Sequence, residues 1–256
     1  MELRRIKLTV AYDGTAYCGY QIQPNGNTVE AELKNALVQL LKHPVKLIGA
    51  SRTDAGVHAK GNVAVFDTTV RMPASRMAFA LNTYLPGDIR IQNSVQVPSD
   101  FQPRYCKTRK TYEYKILNRK IPDPCMRLYS FFYYRHLDEC AMQQAGDFRV
   151  GTHDCSSFCT HKPEITDYVR TIESLKVIRE GDLITIRITG NSFLYNMVRI
   201  IAGTLLRVGT GDLNASEIPA ILEKKDRFAA GETARPEGLT LVSIEYPDGD
   251  DICKQD

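Results

Sequence analysis

The order of strand-like and helix-like segments in the first hundred residues is the feature that most constrains the fold. Residues 5–12 alternate apolar and polar side chains with the period of a half-buried strand. A helical run follows, with Asn27 and Glu30 as a predicted capping pair and Pro44 at its end. The later segments are a strand, a strand, a helix and a strand at residues 45–50, 62–68, 73–84 and 88–97. This β-α-β-β-α-β order predicts a ferredoxin-like half.

The rest of the chain follows the same order less regularly. A hairpin is predicted around Gly181, and a long helix is predicted from Phe193 to Val208 with Gly209 just beyond its end. The other predicted elements are strands at 111–117 and 239–246 and helices at 137–148 and 215–224. We therefore predict two halves, residues 1–105 and residues 106–256, with a cleft between them. The acidic, polar tail from Pro247 is expected to fray.

Composition places the chain in an ordinary globular class. Hydrophobic residues make up 43% and charged residues 25%. No run approaches the roughly 20 apolar residues that a membrane-spanning helix needs, so we expect a soluble, cytoplasmic protein. The seven cysteines are scattered and are expected to be reduced thiols. A net charge of +3 is only weak support for an anionic partner.

The run from Gly49 to Ala59 offers reactive groups in a connection between two predicted strands. Arg52, Asp54 and His58 supply a cation, a carboxylate and an imidazole. Asp54 is either a catalytic residue or the cap of a turn in which its carboxylate accepts backbone N–H groups. The Asp–His spacing also allows a general base or a metal ligand, but no third ligand lies nearby.

Residues 107–115 interleave basic and aromatic side chains. Aromatic faces stack on unpaired bases while Lys and Arg meet phosphates, so the mixture suits RNA. The alternative is a strand with one aromatic face in the core and one charged face in water.

Arg199 is an isolated charge at the start of an apolar helix. Because a buried unpaired charge is costly, we expect Arg199 either to pair with Asp54 or to extend its head to the surface.

The run from His153 to His161 contains two cysteines and two histidines, which are ligand types that zinc prefers. Its spacings do not match the common zinc patterns, so structurally incidental thiols are the favoured interpretation.

Ordered motifs along nearly the whole chain resemble the tRNA pseudouridine synthase A family. Residues 12–15 and 19–21 are similar to its opening motif, residues 52–58 to its catalytic motif, and residues 110–114 to its Tyr-x-Tyr segment. The downstream matches are residues 157–158, 191–199, 225–227 and 238–239. Two departures are Tyr20 where the family usually has Trp and Ser51 where it usually has Gly.

The resemblance implies a pseudouridine synthase fold, α+β, with two ferredoxin-like halves forming a mixed, mostly antiparallel sheet. It implies a homodimer that modifies uridines 38, 39 and 40 in the anticodon arm of tRNA without a metal or organic cofactor. The implied nucleophile is Asp54, with Arg52 helping to extrude the base and Arg199 pairing with Asp54. Tyr112 would stack on the target uracil, and His58 and Asn191 are candidate substrate-binding residues.

Two other functions fit parts of the sequence. A non-catalytic tRNA-binding or RNA-folding protein would use the same cleft without needing the Asp54 carboxylate. A metal-dependent hydrolase would be built on Asp54 and His58, or on the histidines and cysteines between His153 and His161, and it would lose activity with a chelator.

Overall fold

The computed structural model describes residues 3–246. The chain divides into two compact units, one comprising Met1–Thr108 with Leu241–Asp256 and the other Arg109–Thr240. The predicted division into residues 1–105 and 106–256 stays a prediction, because compactness does not show that either half folds alone. The tail from Pro247, which was expected to fray, lies outside the described residues.

The first unit has the predicted β-α-β-β-α-β order. Its elements are β1 (Arg4–Tyr12), α1 (Val29–Leu41), β2 (Leu47–Gly49), β3 (His58–Thr68), α2 (Ala74–Asn82) and β4 (Ile89–Val97). The strands lie in the order β4-β1-β3-β2, and each neighbouring pair is antiparallel. On β1 the side chains of Ile6, Leu8 and Val10 are fully buried and alternate with partly exposed residues, as the period of two predicts.

The start of α1 differs from the prediction. Thr28 is the N-cap, with an extended backbone and a side chain that accepts a hydrogen bond from the Ala31 amide. The Asn27 carbonyl instead accepts from the Cys18 amide at 2.8 Å. The Glu30 carboxylate accepts from the Ile22 amide at 3.1 Å, so this glutamate fastens the preceding loop to the helix. The predicted Asn27–Glu30 capping pair is therefore wrong: the N-cap lies one residue later, at Thr28, and Glu30 bonds to the loop instead of the cap.

The second unit is also mostly antiparallel. Its elements are β5 (Arg109–Asn118), β6 (Phe131–Tyr133), α3 (Glu139–Asp147), β7 (Gly151–Asp154), β8 (Val169–Glu180), β9 (Leu183–Gly190), α4 (Met197–Gly209) and α5 (Ile218–Lys224). The strand β10 (Leu239–Glu245) starts in this unit and continues into the first. The order β5-β9-β8-β7 is antiparallel throughout, and β6 runs parallel to β5. The predicted α+β class with a mixed, mostly antiparallel arrangement is confirmed.

The helix α4 begins four residues later than predicted. Residues 191–196 form a loop, and Asn196 closes it in the left-handed conformation with φ 61°. Gly209 is the last helical residue, and Thr210 caps the helix, so the prediction of Gly209 beyond the helix end is also wrong. A Cβ on Gly209 would lie 2.8 Å from the Met142 sulfur, so this glycine is explained by close packing.

The described residues also bear on the membrane and thiol predictions. Between residues 3 and 246, no helix has the length and apolar character required to cross a bilayer. The cysteines that carry free thiols are Cys18, Cys125, Cys140, Cys155 and Cys159. The expectation of reduced thiols is wrong for Cys106, which is disulfide-bonded.

Candidate active site

The loop between β2 and β3 presents Arg52 and Asp54. Arg52 is exposed and has no carboxylate partner among residues 3–246, whereas Asp54 is half-buried. Thr53 is 7% exposed, so the loop buries the residue between the two charged ones. The loop therefore offers one solvent-facing cation and one partly shielded carboxylate.

Residues 12–21, which we call the opening segment, hold this loop through backbone hydrogen bonds. The Tyr20 amide donates to the Thr53 carbonyl at 3.0 Å, and the Gly56 amide donates to the Tyr17 carbonyl at 3.3 Å. A Cβ on Gly14 would lie 2.0 Å from the Val57 carbonyl oxygen, which no side chain could tolerate. The glycine in the opening motif is thus explained by close approach of two backbones.

A buried polar network fixes the loop from the other side. The Asn62 amide group donates to the Tyr12 hydroxyl at 3.1 Å and to the Ser51 carbonyl at 3.0 Å. The hydroxyls of Tyr12 and Thr53 lie 2.8 Å apart, and Asn62 is fully buried. Neither Asn62 nor Thr53 was among the site residues predicted from the sequence, although Asn62, a polar residue inside a predicted buried strand, was a usable signal. Satisfied buried networks of this kind favour a single conformation.

His58 lies at the first position of β3 and is 4% exposed. Its Nδ1 accepts from the Gly14 amide at 3.1 Å and lies 3.2 Å from an Asp13 carboxylate oxygen. Both contacts join His58 to the segment of residues 13 and 14. His58 thus anchors the opening segment, while contact with a substrate remains a prediction.

The basic and aromatic segment at 107–115 forms β5. Tyr114 is fully buried and donates its hydroxyl hydrogen to the Arg235 carbonyl at 2.9 Å. Burial lowers the pKa of Lys110, and Arg109 pairs with Glu173 at 2.7 Å. Tyr114 therefore lies in the core, as the alternative interpretation expected, whereas the partial burial of Lys110 differs from the expected charged face in water.

Tyr112 is 7% exposed. Its ring meets Phe193 edge to face, with the centroids 5.1 Å apart and the planes at 76°. Phe193 belongs to the loop before α4, so this loop supports the ring that was predicted to stack on uracil.

Arg199 is half-buried, and its guanidinium donates hydrogen bonds to oxygens of Ala234 and Asn196. Its Nε donates to the Ala234 carbonyl at 2.7 Å, and its Nη1 donates to the Asn196 side-chain oxygen at 3.1 Å. Asn191 is exposed, and its side-chain oxygen accepts from the Thr171 amide at 3.2 Å. The predicted site residues thus fall in both units: Arg52, Asp54 and His58 in the first, and Tyr112, Asn191 and Arg199 in the second.

The histidines and cysteines of residues 153–161 have other partners. His161 contacts the Ser156 carbonyl at 2.9 Å and His153 the Val150 carbonyl at 3.0 Å. The Cys155 thiol lies 3.4 Å from an Arg149 nitrogen. In residues 3–246 no group of three or more potential ligands is arranged to hold a metal ion.

Comparison with known proteins agrees with the motifs that surround this loop. Residues 8–106 and 149–247 match the tRNA pseudouridine synthase family. A tRNA pseudouridine synthase A of Exiguobacterium sp. is 48% identical over 95% of this chain and 98% of its own length. The Bacillus subtilis protein of the same name is 43% identical over 94% of this chain and 99% of its own length. Among solved structures, a chain of an archaeal box H/ACA sRNP Nop10-Cbf5 complex covers 78% of this chain and 44% of its own at 12% identity, with a TM-score of 0.33.

The two α+β units thus carry a half-buried carboxylate, Asp54, on a loop whose neighbouring residues are held by backbone and side-chain hydrogen bonds. The family match spans most of the chain, so the protein belongs to the tRNA pseudouridine synthase family. It is an isomerase that acts on tRNA.

Proposed function

We propose that the enzyme converts uridines 38, 39 and 40 of the tRNA anticodon arm to pseudouridine, with Asp54 as the nucleophile. The observation that carries this proposal is the loop of residues 50–57. It displays Arg52 and Asp54 while Thr53 and the opening segment hold its backbone on both sides. Such fixed geometry is what an attacking group requires, since small displacements of reacting atoms are costly.

The reaction is an isomerisation, so all atoms stay in the product apart from one exchanged proton. The N1–C1′ bond breaks, the uracil turns, C5 bonds to C1′, the hydrogen on C5 leaves as a proton, and N1 takes up a proton. The Asp54 carboxylate either attacks C1′, as in retaining glycosidases, to form an ester bond that breaks when C5 bonds to C1′, or it removes a ribose proton to give a glycal and returns that proton when C5 bonds to C1′. The isomerisation exchanges no electrons and passes no group to another molecule, so it requires neither an electron donor nor a group carrier.

The other roles follow the family resemblance. The target base must first leave its stack, which costs a few kcal/mol, and Arg52 is the proposed group that helps to extrude it. Tyr112 is the proposed stacking partner for the uracil, and Arg199 is the proposed counter-ion of Asp54. His58 and Asn191 are proposed to bind the substrate. A homodimer acting in the cytoplasm completes the proposal.

Tritium release measures the reaction directly. Unmodified tRNA with tritium at uracil C5 loses the label to water when pseudouridine forms. We expect release by the wild type and loss of release by Asp54→Asn, which keeps the side-chain shape but removes the charge. Absence of release from every tRNA by the wild type would overturn the proposed reaction, and full activity of Asp54→Asn would overturn the assigned nucleophile.

The same assay addresses the two alternatives. A non-catalytic tRNA-binding protein would show no release but the same tRNA affinity in the wild type and Asp54→Asn. A metal-dependent hydrolase would lose activity with a chelator and would free uracil, whereas the proposed isomerase retains uracil in the tRNA and is unaffected by chelation.

A further inference from the structure

A lysine and a tyrosine lie together beside the loop that precedes α4. The Lys162 ammonium is 4.3 Å from the centroid of the Tyr195 ring. Tyr195 is 44% exposed, and Lys162 is half-buried. Within residues 3–246 no carboxylate pairs with Lys162, so its charge is available to an anion from outside the protein.

Two backbone hydrogen bonds hold the segments that carry this pair. The Thr160 amide donates to the Tyr195 carbonyl at 3.0 Å, and the Ile165 amide donates to the Lys162 carbonyl at 3.0 Å. The first bond ties the lysine-bearing loop to the tyrosine, and the second closes a turn that fixes the lysine backbone. The pair is therefore organised before any ligand arrives, which lowers the entropy cost of binding.

The pair is also connected to Arg199. The Asn196 amide group donates to the Thr160 hydroxyl at 3.0 Å, and the Asn196 oxygen accepts from Arg199 at 3.1 Å. Asn196 adopts the left-handed conformation, which few residues other than glycine and asparagine adopt readily. This single residue thus joins the loop that carries Lys162 to the arginine proposed as the counter-ion of Asp54.

We propose that Lys162 and Tyr195 bind one nucleotide of the tRNA next to the target uridine. Lys162 contacts its phosphate, and the exposed part of the Tyr195 ring stacks on its base. This combination of ammonium and aromatic face is how proteins hold unpaired nucleotides without reading their sequence. The proposal rests on the proposed function, because it takes the RNA partner from it and adds a second contact point on the second unit.

A purely structural cation–π pair is the competing explanation. Loss of an exposed pair of this type would lower the melting temperature slightly and would leave RNA affinity unchanged. Binding constants therefore discriminate between the two explanations better than stability alone.

The test measures binding of unmodified tRNA over a series of KCl concentrations, together with the rate of tritium release. The variants are Lys162→Gln, Tyr195→Ala and Tyr195→Phe. Lys176→Gln is the matched control, because it removes an exposed lysine of β8 in the same unit. Circular dichroism verifies that each variant is folded.

We expect Lys162→Gln to make the negative slope of log affinity against log salt shallower by about 0.7, the value for one phosphate contact on a single strand. Tyr195→Ala should weaken binding roughly 5- to 150-fold, and Tyr195→Phe should bind as the wild type does, because the phenyl ring still stacks. The rise in KM should exceed any fall in kcat, since the contact is made in the ground state as well.

The proposal is overturned if Lys162→Gln keeps the salt slope of Lys176→Gln, or if Tyr195→Ala binds tRNA as tightly as the wild type. Failure of the wild type to release tritium would instead overturn the proposed isomerisation, and the affinities would still test the nucleotide contact. Failure of the wild type to bind tRNA would overturn both.

Discussion

Tyr20 carries a buried hydroxyl that the fold leaves unsatisfied. The residue is 1% exposed, and its hydroxyl oxygen has no hydrogen-bond partner among residues 3–246. An unsatisfied buried polar group costs about 1–3 kcal/mol. Tyr20→Phe removes that group and little else, so the free energy of unfolding should rise by about 1–3 kcal/mol, less a small loss of packing contacts made by the oxygen.

Tyr12→Phe is the matched control for this prediction. The same atom is removed from a ring whose centroid lies 6.3 Å from that of Tyr20. The Tyr12 hydroxyl, however, bonds with Thr53 at 2.8 Å and Asn62 at 3.1 Å. Because its removal leaves buried partners unsatisfied, Tyr12→Phe should lower the free energy of unfolding by about 1–3 kcal/mol. The two substitutions therefore have opposite predicted signs.

Reversible urea unfolding followed by circular dichroism measures both changes, and thermal unfolding provides an independent reading. In a chain of this size each kcal/mol shifts the melting temperature by roughly 2–4 °C. If Tyr20→Phe proved as destabilising as Tyr12→Phe, hydrogen-bond satisfaction would not be what distinguishes the two tyrosines, and the reasoning would fail.

Three further predictions test the loop, the alkaline limit of stability and the first helix. Gly14→Ala should lower kcat at least tenfold and also lower the melting temperature, because the new Cβ would force the Val57 carbonyl away and shift the Asp54 loop; an unchanged rate of tritium release would contradict this. Burial raises the pKa of Tyr20 in the folded state, so above about pH 10 the unfolded chain loses a proton that the native protein keeps. The free energy of unfolding should therefore fall as the pH rises above 10, and it should fall less steeply in Tyr20→Phe by up to about 1.4 kcal/mol per pH unit. Urea unfolding at several pH values measures this dependence, and an equal fall in the wild type and Tyr20→Phe would refute the raised pKa of Tyr20. Thr28→Ala should cost about 1 kcal/mol of unfolding free energy through loss of the α1 cap, whereas Asn27→Ala should cost less, and the reverse order would restore Asn27 as the cap.

The hydrogen bonds that hold the candidate site involve Asn62, which lies outside the motifs of the family resemblance, and Thr53, which lies within the catalytic motif at residues 52–58. Arg52 and Asp54 lie in the strand connection where the sequence located them. Asn62 was conspicuous as a polar residue in a predicted buried strand, but the hydrogen-bond partners of Asn62 and Thr53 could not be predicted from consecutive residues. Their hydrogen bonds to Tyr12 and Ser51 join residues that are distant in the chain, and such pairings exist only after the strands have come together.

Local periodicity determined the element order of the first unit, because an alternating pattern in a strand such as β1 and the breaks at proline and glycine are properties of consecutive residues. Tertiary structure decided the points where elements start and what their polar side chains contact. The helix α4 begins at Met197 because residues 191–196 bond to β8 and to Thr160 instead of continuing the apolar helix pattern. Arg199 was recognisable from the sequence as a charge that needed partners. Its acceptors at Ala234 and Asn196 were not, because a hydrogen-bond partner depends on which backbone and side-chain oxygens the folded chain brings within reach.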